Sequence, residues 1–196
     1  MKEFEIVSGT IVASDPCYKI PTWCQGIIEN VRKGTWLAKV DVSDEGAWGM
    51  RIASLTVVNK DALNPQLESK IVDMYSTEPL NFDGGVDSGQ FGFFDKDFYQ
   101  NDDVAKGLDK ADFGDDYDTQ DGDKWYRACA KLTLADESWG VLPNGAVSSS
   151  GYGDGSYDVF GIKDENGEYV ALSVLYLVED EEDEEDWEDV EEEENN

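Results

Sequence analysis

The pattern of hydrophobic and polar positions along the chain is mostly that of short β-strands separated by turns. Runs of about four to eight residues that are rich in β-branched and aromatic side chains predict strands. Such runs occupy residues 4–7, 10–13, 26–31 and 36–42, and a longer apolar, β-branched run occupies 48–58. A turn is predicted at Ser8-Gly9, between the first two runs. We expect Arg32-Lys33-Gly34 to join 26–31 to 36–42 as a hairpin.

The C-terminal part of the chain continues this pattern. Residues 124–134 partly alternate between large apolar and polar side chains, which predicts a half-buried strand. Residues 157–162 and 168–178 flank Asn166-Gly167, and Asn-Gly is the dipeptide that most strongly favours a tight hairpin turn.

Helical patterns are weak by comparison. The best candidates for short helices lie between Asp61 and Met74 and at 95–108, and the nineteen glycines are typical of a chain that turns often. We therefore predict an all-β or β-rich α+β fold, built as a single sandwich or partly open barrel.

Two acidic segments stand apart from the strands. Residues 95–123 are rich in Asp and Gly with little periodicity, which predicts a long surface loop. Residues 179–194 hold fourteen acidic side chains and no basic one. Such a segment buries too little apolar area to offset the entropy of ordering it. We therefore predict a β-rich globular domain over 1–178 and a disordered acidic tail over 179–196.

The net charge of −30 narrows the choice of partners. Removing the fourteen acidic residues of the tail still leaves −16, so the domain is acidic as well. Nucleic-acid phosphates and anionic membranes require clustered Lys and Arg, so neither is an expected direct partner. A basic protein, including a nucleic-acid-binding protein, is the partner that this charge favours.

Cysteine and histidine usage restricts the chemistry. Cys17, Cys24 and Cys129 lack metal-binding spacing, and neither a signal peptide nor a membrane span is recognisable, so we expect free thiols in a cytoplasmic protein. The sequence has no histidine, which excludes Ser-His-Asp and Cys-His catalysis and mixed Cys/His zinc sites. We therefore expect no cofactor; the alternative is Mg²⁺, Mn²⁺ or Ca²⁺ held by carboxylates.

Three segments carry a resemblance to a known family. They are residues 8–18 with Ser14-Asp15-Pro16-Cys17-Tyr18, residues 85–95, and residues 148–157. The order of these segments and their residues resemble an uncharacterised family of bacterial and phage proteins, catalogued as domain of unknown function 4241. The resemblance spans about residues 5–178. This resemblance implies one domain but no activity, and it does not include the acidic tail.

Two glycine-rich loops, at 84–90 and 150–156, are candidates for ligand binding. A phosphate-binding loop of the nucleotide-hydrolase type is excluded because neither contains the required Lys. The glycines are expected in tight turns, and the alternative is a module that binds a small nucleotide or a sugar. The ligand-binding candidates are Gly89, Gln90, Gly151, Tyr152, Gly153 and Tyr157.

Carboxylates provide the remaining candidates. Asp15, Asp87 and Asp154 each stand at a strand-to-turn junction, where they either cap turns or together bind Mg²⁺ or Mn²⁺ as a small metal-dependent hydrolase. Residues 116–123 imitate a calcium loop but lack the Gly and Glu of an EF-hand, which leaves weak divalent binding as their alternative role. Cys17 is a poor nucleophile candidate without a histidine to activate it.

The leading hypothesis is a non-enzymatic interaction protein that binds a basic partner surface, as an inhibitor, an immunity protein or a phage counter-defence protein does. Mimicry of nucleic acid is one form of it. The candidate partner-binding residues are Glu179, Asp180, Glu181, Glu182, Asp183, Glu184, Glu185, Asp186 and Trp187.

Overall fold

The computed structural model describes residues 1–104 and 123–177 of the 196-residue chain. The strands in the described ranges are β1 (Lys2–Ile6), β2 (Thr10–Ser14), β3 (Gly26–Glu29), β4 (Gly34–Asp44), β5 (Met50–Asn59), β6 (Gly84–Val86), β7 (Gln90–Asp95), β8 (Trp139–Leu142), β9 (Gly145–Ser149), β10 (Gly155–Lys163) and β11 (Tyr169–Leu175). The α-helices in the same ranges are α1 (Pro65–Val72) and α2 (Asp123–Thr133).

The strands form two antiparallel sheets. The six-stranded sheet has the order β1-β4-β5-β11-β10-β6, and the five-stranded sheet has the order β3-β2-β7-β9-β8. Neither sheet closes on itself, and the main core lies between them, where Trp36, Phe91 and Phe93 are fully buried. The predicted β-rich sandwich is therefore confirmed.

The predicted hairpin at Asn166-Gly167 is confirmed, but the one predicted at Arg32-Lys33-Gly34 is wrong. Gly167 has a φ of 81°, and the turn joins β10 to β11. By contrast, β3 pairs with β2 in the five-stranded sheet, whereas β4 pairs with β1 and β5 in the other. The segment between β3 and β4 therefore crosses from one sheet to the other. Turn residues alone do not fix which strands pair.

The strand predicted at 124–134 is also wrong, because these residues form α2. Trp125, Ala128 and Cys129 are buried at helical spacing, and Leu132 completes the stripe. This stripe packs on the outer face of the five-stranded sheet. The partial alternation in the sequence favours a strand, whereas the helical spacing of the apolar residues favours a helix. The helix forms because it buries the whole apolar stripe.

The predicted short helix between Asp61 and Met74 is confirmed as α1. Asn64 caps it by accepting hydrogen bonds from the backbone N–H groups of Gln66 and Leu67, both at 3.0 Å, and Pro65 occupies its first position. Of the other helix candidate, at 95–108, the structure describes residues 95–104, which contain two short 3₁₀ turns, Lys96–Phe98 and Asp102–Val104.

Some predictions lie outside the described residues. They are most of the loop at 95–123, most of the calcium-loop imitation at 116–123, and the acidic tail with its partner-binding candidates Glu179 to Trp187.

Candidate functional site

A groove of about 550 Å³ lies at one end of the two sheets. We call it the hairpin groove, because one of its walls is the hairpin between β4 and β5. The second wall is the glycine-rich loop after β9, and the third is the segment leading into β8. Its volume is within the range of pockets that hold small ligands or a few side chains of a partner.

The hairpin wall exposes apolar side chains. Gly46–Trp48 forms a 3₁₀ turn, and Gly49 follows with a φ of 74°, a conformation that favours glycine. This turn leaves Trp48 69 % and Met50 64 % exposed, and Arg51 Nε donates a hydrogen bond to the Trp48 carbonyl at 3.1 Å. Exposed apolar side chains that lie together, rather than singly, commonly mark a binding surface.

The glycine-rich loop is held in shape by its own hydrogen bonds. Ser150 Oγ donates to the Gly153 carbonyl at 2.9 Å, and the Tyr157 hydroxyl donates to the same carbonyl at 2.8 Å. Gly151 has a φ of 52°, and an added Cβ would lie only 3.0 Å from Tyr176 Cβ. A side chain at this position would be strained, so the sequence requires glycine here.

Tyr152 connects this loop to the hairpin. Its ring meets Trp48 edge to face with 6.5 Å between centroids, and its hydroxyl donates to Glu45 Oε2 at 2.5 Å. Hydrogen bonds from Ser43 and Tyr152 lower the pKa of Glu45. The Arg51 guanidinium carbon lies 5.8 Å from the centre of the Tyr152 ring. This wall thus combines an aromatic face, a carboxylate and a cation.

At the third wall, an aromatic ring, carboxylates and a cation again lie together. Asp136, Glu137 and Trp139 line the groove, and the Lys2 ammonium group lies 4.3 Å from the centre of the Trp139 ring. The same ammonium group forms an ion pair with Glu137 and donates to the Trp139 carbonyl at 3.4 Å.

The structure brings four of the six ligand-binding candidates to the hairpin groove, namely Gly89, Gly151, Tyr152 and Gly153. The other two candidates, Gln90 and Tyr157, do not line the groove but contact the elements that form it. Gln90 is buried and accepts a hydrogen bond from Thr133 Oγ1 at 2.9 Å. Tyr157 holds the loop, and partial burial raises the pKa of its hydroxyl.

Asp15 is fully buried, and both oxygens of its carboxylate accept hydrogen bonds. Oδ2 accepts from the backbone N–H groups of Asp87 at 2.9 Å and Ser88 at 2.7 Å. Oδ1 accepts from the Cys17 N–H at 2.8 Å and the Ser88 hydroxyl at 2.7 Å. The Asp15 side chain therefore fixes the turn that precedes β7.

Asp95 makes the reciprocal arrangement, and sequence reasoning missed it. Asp95 is also fully buried. Its Oδ2 accepts hydrogen bonds from the backbone N–H groups of Val7 at 2.5 Å and Ser8 at 2.8 Å. Its Oδ1 accepts one from the backbone N–H of Asp97 at 3.0 Å. Since β2 and β7 are antiparallel neighbours, the carboxylate at the end of each strand holds the turn that leads into the other. We call Asp15 and Asp95 the reciprocal aspartates.

A sequence signal for this pair exists. Residues 8–15 and 88–95 share one pattern, in which Ser-Gly is followed by five residues and then Asp. Both glycines have positive φ, 79° at Gly9 and 69° at Gly89.

The three aspartates do not form a metal centre in the described part of the chain. Asp15 is occupied by its hydrogen bonds, the side chain of Asp87 lies beside the Tyr18 hydroxyl, and Asp154 is exposed on the glycine-rich loop. Over residues 1–104 and 123–177, no group of three or more Asp, Glu, Cys or His residues could hold a metal ion.

The cysteines are free thiols. Partial burial of the sulfur and a hydrogen bond with Asp15 raise the pKa of Cys17 to about 12. Burial also raises the pKa of Cys129. Protonated thiols are weak nucleophiles, so neither is activated for catalysis.

Fold and groove together define a two-sheet β protein with a surface groove of aromatic rings and carboxylates. A family model matches residues 4–174, and the chain belongs to that family, described as protein of unknown function (DUF4241). Comparison with curated proteins and with solved structures gives no match. Among the described residues, no helix is long and apolar enough to cross a membrane.

Proposed function

We propose that this protein is a non-enzymatic interaction protein and that its hairpin groove binds a basic segment of a partner protein. The observation that carries this proposal is a set of exposed apolar side chains beside carboxylates: Met50 and Tyr152 line the groove with Asp136 and Glu137, and the exposed Trp48 packs against the Tyr152 ring. Aromatic anchors provide binding energy at protein interfaces, and charge complementarity selects the partner.

The charge around the groove supports a cationic ligand over an anionic one. Asp136 and Glu137 line it, Glu45 adjoins it, and the whole chain has a net charge of −30. A phosphate group would be repelled by these carboxylates, so a nucleotide is a weaker candidate. A neutral sugar remains a distinguishable alternative, because its binding would not depend on salt.

The biological setting is part of the same proposal. An acidic protein that occupies a basic surface suits a cytoplasmic inhibitor, immunity protein or phage counter-defence protein, and mimicry of nucleic acid is one way to compete for a basic groove.

The first test measures binding of a short oligoarginine peptide by isothermal titration calorimetry. The replacements Trp48→Ala and Tyr152→Ala should each weaken binding about tenfold, since each removes an aromatic anchor. Trp23→Ala is the matched control, because Trp23 is 85 % exposed but lies on the loop before β3, away from the groove. Oligocitrulline, which lacks the charge, should bind poorly.

Unchanged affinity in both groove variants would contradict the proposal, and so would a loss confined to Trp23→Ala. Binding of a neutral oligosaccharide with the same dependence on Trp48 and Tyr152 would replace the basic segment with a sugar as the ligand.

The acidic tail gives a second expected result. The chain leaves the described residues at Leu177, whose side chain lies against Gly151 beside the groove. Replacing the acidic residues of 179–186 by Asn and Gln should therefore weaken oligoarginine binding at low salt. The difference should shrink as the Debye length falls to about 8 Å near physiological ionic strength. Equal affinities at low salt would exclude a role for the tail in binding this peptide.

A further inference from the structure

Two aromatic rings that line the hairpin groove, those of Trp139 and Tyr152, each contact a cation of this chain. Lys2 lies over the Trp139 ring and forms an ion pair with Glu137. Arg51 lies beside the Tyr152 ring, and the Tyr152 hydroxyl donates a hydrogen bond to Glu45. Lys and Arg total only fifteen of the 196 residues, against forty-five Asp and Glu.

The Lys2 position is a built site for an ammonium or guanidinium group. It offers the face of an indole ring, a carboxylate and a backbone carbonyl, each in contact with the same Lys2 nitrogen. Trp is the strongest of the aromatic side chains in cation–π contacts, and a carboxylate adds the opposite charge.

This site is also accessible. The Lys2 side chain is 35 % exposed and that of Glu137 is 65 % exposed. A single ion pair with this exposure contributes little free energy, so a lysine or arginine from another molecule can compete with it.

We infer that the hairpin groove recognises a lysine or arginine side chain at Trp139 and Glu137, and that Lys2 is an internal occupant which this side chain displaces. The inference rests on the proposed function and adds its regulation: the Lys2 contact lowers the affinity of the groove and rejects weakly basic ligands. A ligand must supply enough additional contacts, at Trp48 and Tyr152, to replace Lys2.

The test is the replacement Lys2→Met, measured with the same oligoarginine peptide. Exposed cation–π and ion-pair contacts of this kind keep a site occupied about 80–90 % of the time. Removing the occupant should therefore increase the affinity about five- to tenfold, because the apparent dissociation constant is inversely proportional to the open fraction.

Lys60→Met is the matched control. Lys60 also forms an ion pair with a β1 carboxylate, Glu3, at 2.7 Å. Glu3 directly follows Lys2, and successive side chains of a strand point to opposite faces, so this pair lies on the other face of β1. Both replacements change the net charge by the same amount. An increase shared by Lys2→Met and Lys60→Met would show a general charge effect and overturn the inference.

Displacement can also be observed directly by NMR. The Lys2 side-chain CH₂ protons next to the ammonium group should be shifted by the Trp139 ring current in the free protein and return toward ordinary lysine values when oligoarginine binds. Binding that leaves these shifts unchanged would overturn the inference.

The two proposals fail in different ways. If Trp48→Ala and Tyr152→Ala weaken binding but Lys2→Met equals Lys60→Met, the groove binds a basic peptide and Lys2 is not its competitor. If the groove variants bind as the unmodified chain does, the proposed function itself is wrong.

Discussion

Replacing either reciprocal aspartate by asparagine should lower the free energy of unfolding by about 2 to 3 kcal/mol. Both Asp15 and Asp95 are fully buried, and all of their hydrogen-bond partners are donors. An asparagine keeps one acceptor oxygen but directs an NH₂ group toward the remaining donors. For a domain of this size, we expect the melting temperature to fall by about 5–10 °C. Urea denaturation followed by tryptophan fluorescence measures the change.

Asp154→Asn is the control, since Asp154 is exposed and should change the stability by less than about 0.5 kcal/mol. The role assigned to the buried carboxylates would be contradicted if Asp154→Asn lowered the free energy of unfolding as much as Asp15→Asn and Asp95→Asn. It would also be contradicted if neither Asp15→Asn nor Asp95→Asn lowered it. The same set of variants bears on the metal-dependent hydrolase alternative. That alternative requires Asp15→Asn, Asp87→Asn and Asp154→Asn to abolish turnover of a substrate while the protein stays folded.

The fold was predictable where local chemistry decides it. The Asn166-Gly167 turn and the Asn64-Pro65 helix start each contain their cause within a few residues. In contrast, α2 depends on the outer face of the five-stranded sheet, which buries its Trp125 stripe. The separation of β3 from β4 depends equally on distant strands. No local signal reports which sheet a strand joins.

The candidate site divides in the same way. Glycine spacing pointed to Gly151 and Gly153 because backbone conformation is a local property, whereas the partners of Tyr152 come from far along the chain. Glu45 and Trp48 lie on a different hairpin, and only the sheet topology brings them to Tyr152. The reciprocal aspartates are an intermediate case. Their repeated Ser-Gly and Asp pattern is visible in the sequence, but the exchange of hydrogen bonds between the two copies requires β2 to pair with β7.

β7 is also a place where one added methyl group should have a large effect. Gly92 lies in the middle of this strand, paired with Ser14 on one side and Val147 on the other. A Cβ at this position would lie 2.4 Å from the Ala146 carbonyl oxygen and 2.4 Å from Phe94 Cζ. The Phe94 ring is itself buried under α2, and the carbonyl belongs to the neighbouring strand, so neither can move away cheaply.

Gly92→Ala should therefore destabilise the protein by about 3 kcal/mol, the upper part of the usual cost of overpacking. Gly155→Ala is its control: Gly155 begins β10, and an added Cβ would be at ordinary contact distance, 3.4 Å from Tyr157. Chemical denaturation of the two variants should separate them by several times the uncertainty of the measurement. Because Gly89 of the groove directly precedes β7 and Asp95 ends it, Gly92→Ala should also weaken oligoarginine binding. Equal stability of the two variants would show that the Phe94 ring and β9 shift more easily than this packing implies.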